Sequence, residues 1–216
     1  MGLSPSQVSA CLVTRGDQPE MLERIIETLP YDEMIVWDNS QREDFKIYGR
    51  FMAMAKAKHE VCYTQDDDCL FRQHAELLAE YEDGIPTYVY GHFPEEGGYG
   101  DLPLPCGGAL VPKSVAFAAF ERYFEHYPLD EALMYEADFV VGPLYPNFKQ
   151  VHLPFEINYE IAQGPERLCN QPWQAAQKLE LTNRARAIRD QAMRDGETIV
   201  RETIYAPGTL AREVFS

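Results

Sequence analysis

The first seventy residues constrain the fold most, because they switch repeatedly between two hydrophobic periods. Val8 to Thr14 (VSACLVT) is a continuous apolar run of strand length, ended by Arg15-Gly16-Asp17. Met21, Leu22, Ile25, Ile26 and Leu29 then recur on one helical face, with Pro19 near the first turn and Pro30 as the stop. Met34 to Trp37 is a second apolar run, closed by Asp38-Asn39-Ser40. Tyr48 to Ala57 reads as an Ala- and Met-rich helix, and Glu60 to Gln65 as a third strand. Strand, helix, strand, helix, strand with short polar links predicts an α/β fold: a mostly parallel central sheet flanked by helices. Ligands of such sheets bind beyond the carboxyl ends of the strands. The clusters Thr14-Arg15-Gly16, Asp38-Asn39-Ser40 and Asp66-Asp67-Asp68 all fall at those ends.

The aspartate run has no Lys or Arg within three residues on either side. Like charges about 5 Å apart repel by roughly 3 kcal/mol at an effective dielectric of about 20. Two readings follow: a solvated acidic turn, or oxygen ligands for a hard divalent cation such as Mg²⁺ or Mn²⁺. The strand before it, the helix expected after it and the α/β pattern upstream favour the second.

The formal net charge of −16 speaks against a nucleic-acid partner, since phosphate binding needs a basic footprint. The charge is uneven: residues 172 to 216 carry seven Lys/Arg against six Asp/Glu, so the acidity lies in the first 171 residues. This shift marks the last quarter as a separate element. The expected organisation is a domain over residues 1–165 and a C-terminal helical extension, residues 166–216, packed on it. Five cysteines, an odd count with no CxxC, read as reduced thiols in a cytoplasmic protein. No run of eighteen apolar residues is present, so no integral membrane segment is expected.

Further along, the sequence predicts a helix near Phe71 to Tyr81, a strand at Thr87 to Gly91 and a Gly- and Pro-rich loop from His92 to Pro105. Gly108 to Pro112 reads as a short strand, followed by an aromatic helix capped by Ser114. A short helix near Leu129 to Ala137, a strand at Gln150 to Leu153, a polar helix at Gln174 to Arg194 and a possible strand at Thr198 to Tyr205 complete the chain.

A strand ending in Thr14-Arg15-Gly16, a strand ending in Trp37-Asp38-Asn39-Ser40, Arg50 at the start of an Ala-rich helix, then a strand and Asp66-Asp67-Asp68 resembles the nucleotide-sugar glycosyltransferases of the GT-A fold. It is most similar to the family 2 type. The resemblance covers residues 8 to 70 and, loosely, 106 to 153. It implies a Rossmann-like GT-A domain that uses Mn²⁺ or Mg²⁺. Such a domain would move a sugar from a nucleotide-sugar donor, UDP-sugar favoured, to an acceptor hydroxyl with inversion. Asp38 would then meet the nucleotide base, and Arg50 the base or the diphosphate. Thr14 and Arg15 would line the first loop. Asp66 would bind the ribose, Asp68 the metal, and Asp67 would point away or support them. Tyr48-Gly49-Arg50-Phe51 departs from the family, whose Arg is followed by Asn.

The resemblance also implies an acidic base for the acceptor hydroxyl, and Glu136-Ala137-Asp138 is the nearest match. On a helix these two carboxylates sit about 200° apart; on an extended chain they share a side. Asp138 is the expected base, with Glu136 second. Gly107 and Gly108 resemble the small-residue segment lining the sugar pocket, and a plain tight turn is the other reading. His152 is a candidate third metal ligand beside Asp66 and Asp68. The acceptor, whether glycan, protein or small molecule, is not legible. Two further functions fit parts of the pattern: nucleotidyl transfer that makes a sugar nucleotide, and a non-catalytic nucleotide- or metal-binding module.

Overall fold

The computed structural model describes residues 2–90, 103–145, 147–162, 164, 165, 167, 170–197 and 203–205. The loop expected from His92 to Pro105 therefore lies mostly outside the described residues, as does Cys169.

The fold is α/β, with a mostly parallel seven-stranded sheet flanked by helices. β1 (Val8–Thr14) lies between β2 (Glu33–Asp38) and β3 (Val61–Thr64) and is parallel to both. The order across the sheet is β2-β1-β3-β6-β5-β7-β9, with β5 at Thr87–Tyr90, β6 at Ala109–Pro112, β7 at Phe148–His152 and β9 at Thr203–Tyr205. β6 is antiparallel to β3 and β5; every other pairing is parallel. The start of β6 therefore meets the ends of its neighbours at one edge, where Thr64 faces Ala109.

Period-2 alternation gives the central strands β1, β3 and β6 two buried faces. Cys11, Trp37, Cys62, Tyr88, Ala109 and Val111 face one side. There α2 (Gly49–Met54), α4 (Lys113–Phe124), α5 (Glu131–Glu136), α6 (Asp138–Leu144) and α8 (Gln174–Arg194) contribute Phe51, Phe120, Leu133, Val140 and Leu181. Val8, Ala10, Val61, Tyr63, Val89 and Leu110 face the other side with Leu77 and Leu78 of α3 (His74–Glu80). Leu12 packs there with Met21 and Ile25 of α1 (Pro19–Thr28). The C-terminal helix α8 buries Leu181, Ala185 and Ile188 in the same core as Phe120 and Tyr123.

Helix was expected from Phe71, but Cys69–Phe71 form a strand, β4, antiparallel to β8 (Phe155–Ile157) in a second small sheet. Phe71 is fully buried, and its ring lies 4.9 Å from that of His74, which begins α3. The aspartate run therefore sits in a turn between two strands rather than between strand and helix. Ser114 does not cap α4, which begins at Lys113; its amide donates to Glu60 Oε1 at 2.8 Å. No described helix is long and apolar enough to cross a membrane. The four described cysteines, Cys11, Cys62, Cys69 and Cys106, are free thiols.

Candidate functional site

Gln65 shapes the turn that ends β3. Its side chain is buried, with Oε1 accepting from the Tyr63 hydroxyl at 2.7 Å and Nε2 donating to the Cys69 carbonyl at 2.6 Å. This amide closes the loop across its neck and fixes Asp66, Asp67 and Asp68 on a rigid turn. The Asp66 amide donates to the Cys106 carbonyl at 3.3 Å, which ties the turn to the segment before β6. On the other side the Asn158 amide donates to the Asp68 carbonyl at 2.8 Å, continuing the β4–β8 pairing.

The three aspartates meet different partners. Arg50 Nη2 lies 2.6 Å from Asp66 Oδ1 and 3.6 Å from Asp138 Oδ2. The guanidinium is 2% exposed, and its Nε and Nη1 are buried without a hydrogen-bond partner. Burial opposes its charge, but Asp138 and Asp66 outweigh that and raise its pKa. Asp67 Oδ1 lies 3.0 Å from Arg167 Nη1. Burial raises the Asp67 carboxyl against the opposing pull of Arg167. No lysine or arginine is ion-paired with Asp68 among the described residues; its Oδ1 accepts from the Cys69 thiol at 3.3 Å. Burial first, then the charges of Asp66 and Asp67, push the Asp68 carboxyl up to about 6.

Arg50 reaches this point because α2 starts close to the sheet. A Cβ at Gly49 would lie 2.7 Å from the Trp37 ring and 2.8 Å from Val13 Cγ2, so only glycine permits this approach. Phe51, which stands where the resembling family has Asn, is buried with its ring 4.7 Å from Phe120 and 5.9 Å from Tyr48. That position holds an aromatic core contact.

The backbone at Ala137 is right-handed helical, so Glu136 and Asp138 take opposite directions. Asp138 turns to Arg50, and burial, partly offset by Arg50, pushes its carboxyl up to about 6. Glu136 faces Gln174 and Lys178 of α8; it is 1% exposed, and burial pushes it up to about 8. Neither of its oxygens has a partner in hydrogen-bond geometry, although Gln174 is near enough to favour the charged form.

Asp38 lies opposite Thr14 in the β1–β2 register, and its Oδ1 accepts from the Ser40 amide and hydroxyl at 2.8 and 2.7 Å. Thr14 is buried, and its Oγ1 accepts from the Gly16 amide at 3.1 Å. Arg15 pairs with Asp17 at the surface. β1 lies one strand spacing from β3 and β2 two, so the Thr14 cluster stands about 5 Å and the Asp38 cluster about 10 Å from the aspartate turn along one edge. Gly107 and Gly108 precede β6 at the same edge, but core side chains fill the space they leave. A Cβ at Gly107 would lie 2.5 Å from the Phe155 ring, and one at Gly108, whose φ is +122°, 2.7 Å from the Tyr63 hydroxyl.

His152 ends β7 at this edge, three strand spacings or about 14 Å from β3. It is exposed, and the structure does not bring it together with Asp66 and Asp68. Among the described residues no three His, Cys, Asp or Glu side chains form a group able to hold a metal ion by themselves. Beyond Asn158, a cavity of about 330 Å³ opens between α1 and β8, lined by Met21, Arg24, Leu70 and Glu156 among others.

Sequence reasoning missed Gln65, Lys178 and Arg167. Gln65 carries one signal, a polar residue ending an otherwise buried run. Arg167 is a lone arginine one hundred residues from its aspartate, and no pattern marks it.

No family model matches this chain, and no curated protein matches it. Among solved structures it is similar to a glycosyltransferase involved in the glycosylation of the major capsid of PBCV-1. The identity is 13%, over 60% of this chain and 75% of that one, with a TM-score of 0.35. A likeness at that level assigns neither residues nor activity.

Proposed function

We propose that this chain is a metal-dependent glycosyltransferase of the GT-A type, most similar to family 2. In this reading it takes a nucleoside diphosphate sugar, UDP-sugar foremost, and passes the sugar with inversion to an acceptor hydroxyl. The observation that carries the reading is the division of the aspartate turn at the carboxyl edge of the sheet. Asp66 and Asp67 are each held by an arginine, and Asp68 is left with a carboxylate that burial and its neighbours make costly to ionise. A hard cation relieves that cost. Mg²⁺ and Mn²⁺ commonly use one or two carboxylates and take their remaining ligands from substrate phosphates and water. The donor set fits such an ion, with Asp68 as its protein ligand.

When bound, the cation supplies Lewis-acid stabilisation of the charge that gathers on the leaving diphosphate. The other roles belong to side chains. Asp38, about 10 Å along the edge, receives the base, and Asp66 lies on the ribose side of the turn. Arg50, linked to both Asp66 and Asp138, joins the donor side to the acceptor side. Asp138 takes the acceptor proton as the new C–O bond forms and the bond to the diphosphate breaks. Its carboxyl near pH 6 suits a general base working close to neutrality. Glu136, pushed to about 8, holds its proton at neutral pH and serves less well.

Thermal denaturation with Mn²⁺ plus UDP, GDP, CDP or dTDP tests the reading. A nucleotide at one hundred times its Kd stabilises by about 2.7 kcal/mol. A flat response to all four nucleotides counts against glycosyl transfer and leaves the fold as a metal-binding or structural module.

A further inference from the structure

We infer that Arg167 makes divalent-cation binding at the aspartate turn conditional on a bound diphosphate. The inference rests on the glycosyltransferase reading above and extends it to how the ion and the donor enter.

Three successive carboxylates concentrate negative charge on one turn, yet among the described residues they form no group that holds a metal ion by itself. Arg50 already removes one of them, and it does so with a charge also committed to Asp138. Arg167 removes the second: Nη1 lies 3.0 Å from Asp67 Oδ1, and Nε donates to the Ile161 carbonyl at 3.1 Å. That second bond anchors the guanidinium to the end of α7 (Tyr159–Ala162), so Arg167 holds its place beside Asp67 by more than the ion pair. The residue is 6% exposed, which keeps its charge poorly screened by water. Its Nη2 is buried with no acceptor, an orphan donor beside a turn whose ligand on this reading is an anion.

A free cation therefore meets one unpaired carboxylate, Asp68, with a fixed positive charge one residue away. A diphosphate brings the missing negative charge and the missing oxygens together. The ion is thus expected to enter with the nucleotide instead of waiting in a preformed cage. Removing Arg167 frees Asp67 and converts the turn into a two-carboxylate site that no longer needs the diphosphate.

The test is titration of the full chain with Mn²⁺, followed by electron paramagnetic resonance, with and without UDP. In the wild type, UDP is expected to strengthen Mn²⁺ binding at least tenfold. Arg167→Gln is expected to bind Mn²⁺ alone about tenfold more tightly than wild type, as one freed nearby charge allows. Adding Asp67→Asn to Arg167→Gln is expected to restore the wild-type affinity for Mn²⁺ alone. A folded Arg167→Gln protein with unchanged Mn²⁺ affinity overturns the inference. Should Arg167→Gln not fold, Asp67→Asn alone decides: its amide still accepts from Arg167, so Mn²⁺ affinity with UDP stays within threefold. A tenfold loss there makes Asp67 a metal ligand and sinks the idea. Indifference of wild-type Mn²⁺ affinity to UDP, GDP, CDP and dTDP sinks both the donor reading and the dependence on a diphosphate, whereas a UDP response with an unchanged Arg167→Gln affinity sinks the inference alone. The Mn²⁺ gain in Arg167→Gln, scored without nucleotide, still decides whether Arg167 masks a ligand.

Discussion

Arg50 Nη2 stands 2.6 Å from Asp66 Oδ1, and the guanidinium is almost wholly removed from water. The contact joins the start of α2 to the turn after β3, and the same nitrogen reaches Asp138 at the start of α6. Removing the cation leaves the buried Asp138 and the partly exposed Asp66 without their shared counter-charge. Breaking a buried pair in this way costs about 3–5 kcal/mol. Arg50→Met is expected to lose stability of that order in urea denaturation at pH 7. The Arg50→Met, Asp138→Asn double variant should recover part of the loss. A single variant within about 1 kcal/mol of wild type would show that the network contributes little to the fold.

Asp68 is the turn carboxylate with no arginine or lysine paired to it among the described residues. Asp68→Asn is expected to leave the circular dichroism spectrum and melting temperature close to wild type, because no ion pair is lost and the charge removed is half-buried and costly to ionise. The same variant should lose Mn²⁺-dependent nucleotide stabilisation and sugar transfer by a hundredfold or more, in line with removal of a group that holds transition-state charge. Full activity in Asp68→Asn would overturn Asp68 as the protein ligand of the metal.

Most of the sheet was legible because its strands are continuous apolar runs ended by polar clusters, and local pattern is enough to see that. α8 was read at its observed bounds, Gln174 to Arg194, from length and composition alone. β4 was not legible: Cys69–Phe71 is three residues long, and its strand state depends on pairing with Phe155–Ile157 far along the chain. Among the candidate site residues the acids, Arg15 and Arg50 are legible in the sequence, but Arg167 and Lys178 are not. Asp38, Asp66 and Asp138 follow recognisable elements, and the resemblance names Arg50 for the nucleotide; that Arg50 is sealed between Asp66 and Asp138 is not visible in the sequence. Burial of a charge is a tertiary outcome, set here by how closely Gly49 lets α2 approach β1 and β2.

That approach is itself testable. A Cβ on residue 49 would sit 2.7 Å from Trp37 Cδ1 and 2.8 Å from Val13 Cγ2, both in packed core. Gly49→Ala improves helix propensity but forces α2 away from the sheet, and overpacking of this kind costs about 1–3 kcal/mol. The expected result is a net loss of stability together with a weaker nucleotide response, because Arg50 moves with the helix. A stabilised variant would mean that Trp37 can swing aside at no cost.

Glu136 sets a pH dependence whose sign follows from its burial. Its folded-state carboxyl sits at about 8 against an ordinary value of 4.5. The folded protein therefore holds a proton that the unfolded chain releases, and stability from this group is full below about pH 4.5 and is lost as pH rises through about 8. Lys178 and Gln174 oppose the shift and Asp138 adds to it, but burial dominates. Glu136→Gln keeps the shape and removes the titration. Its melting temperature should match wild type at pH 5 and exceed it by several degrees at pH 9, since each kcal/mol shifts a domain of this size by about 2–4 °C. Parallel melting curves for the two proteins from pH 5 to 9 would show that Glu136 is ionised at neutral pH and paired to Lys178. In that case Glu136 would replace Asp138 as the acid to test first for acceptor deprotonation.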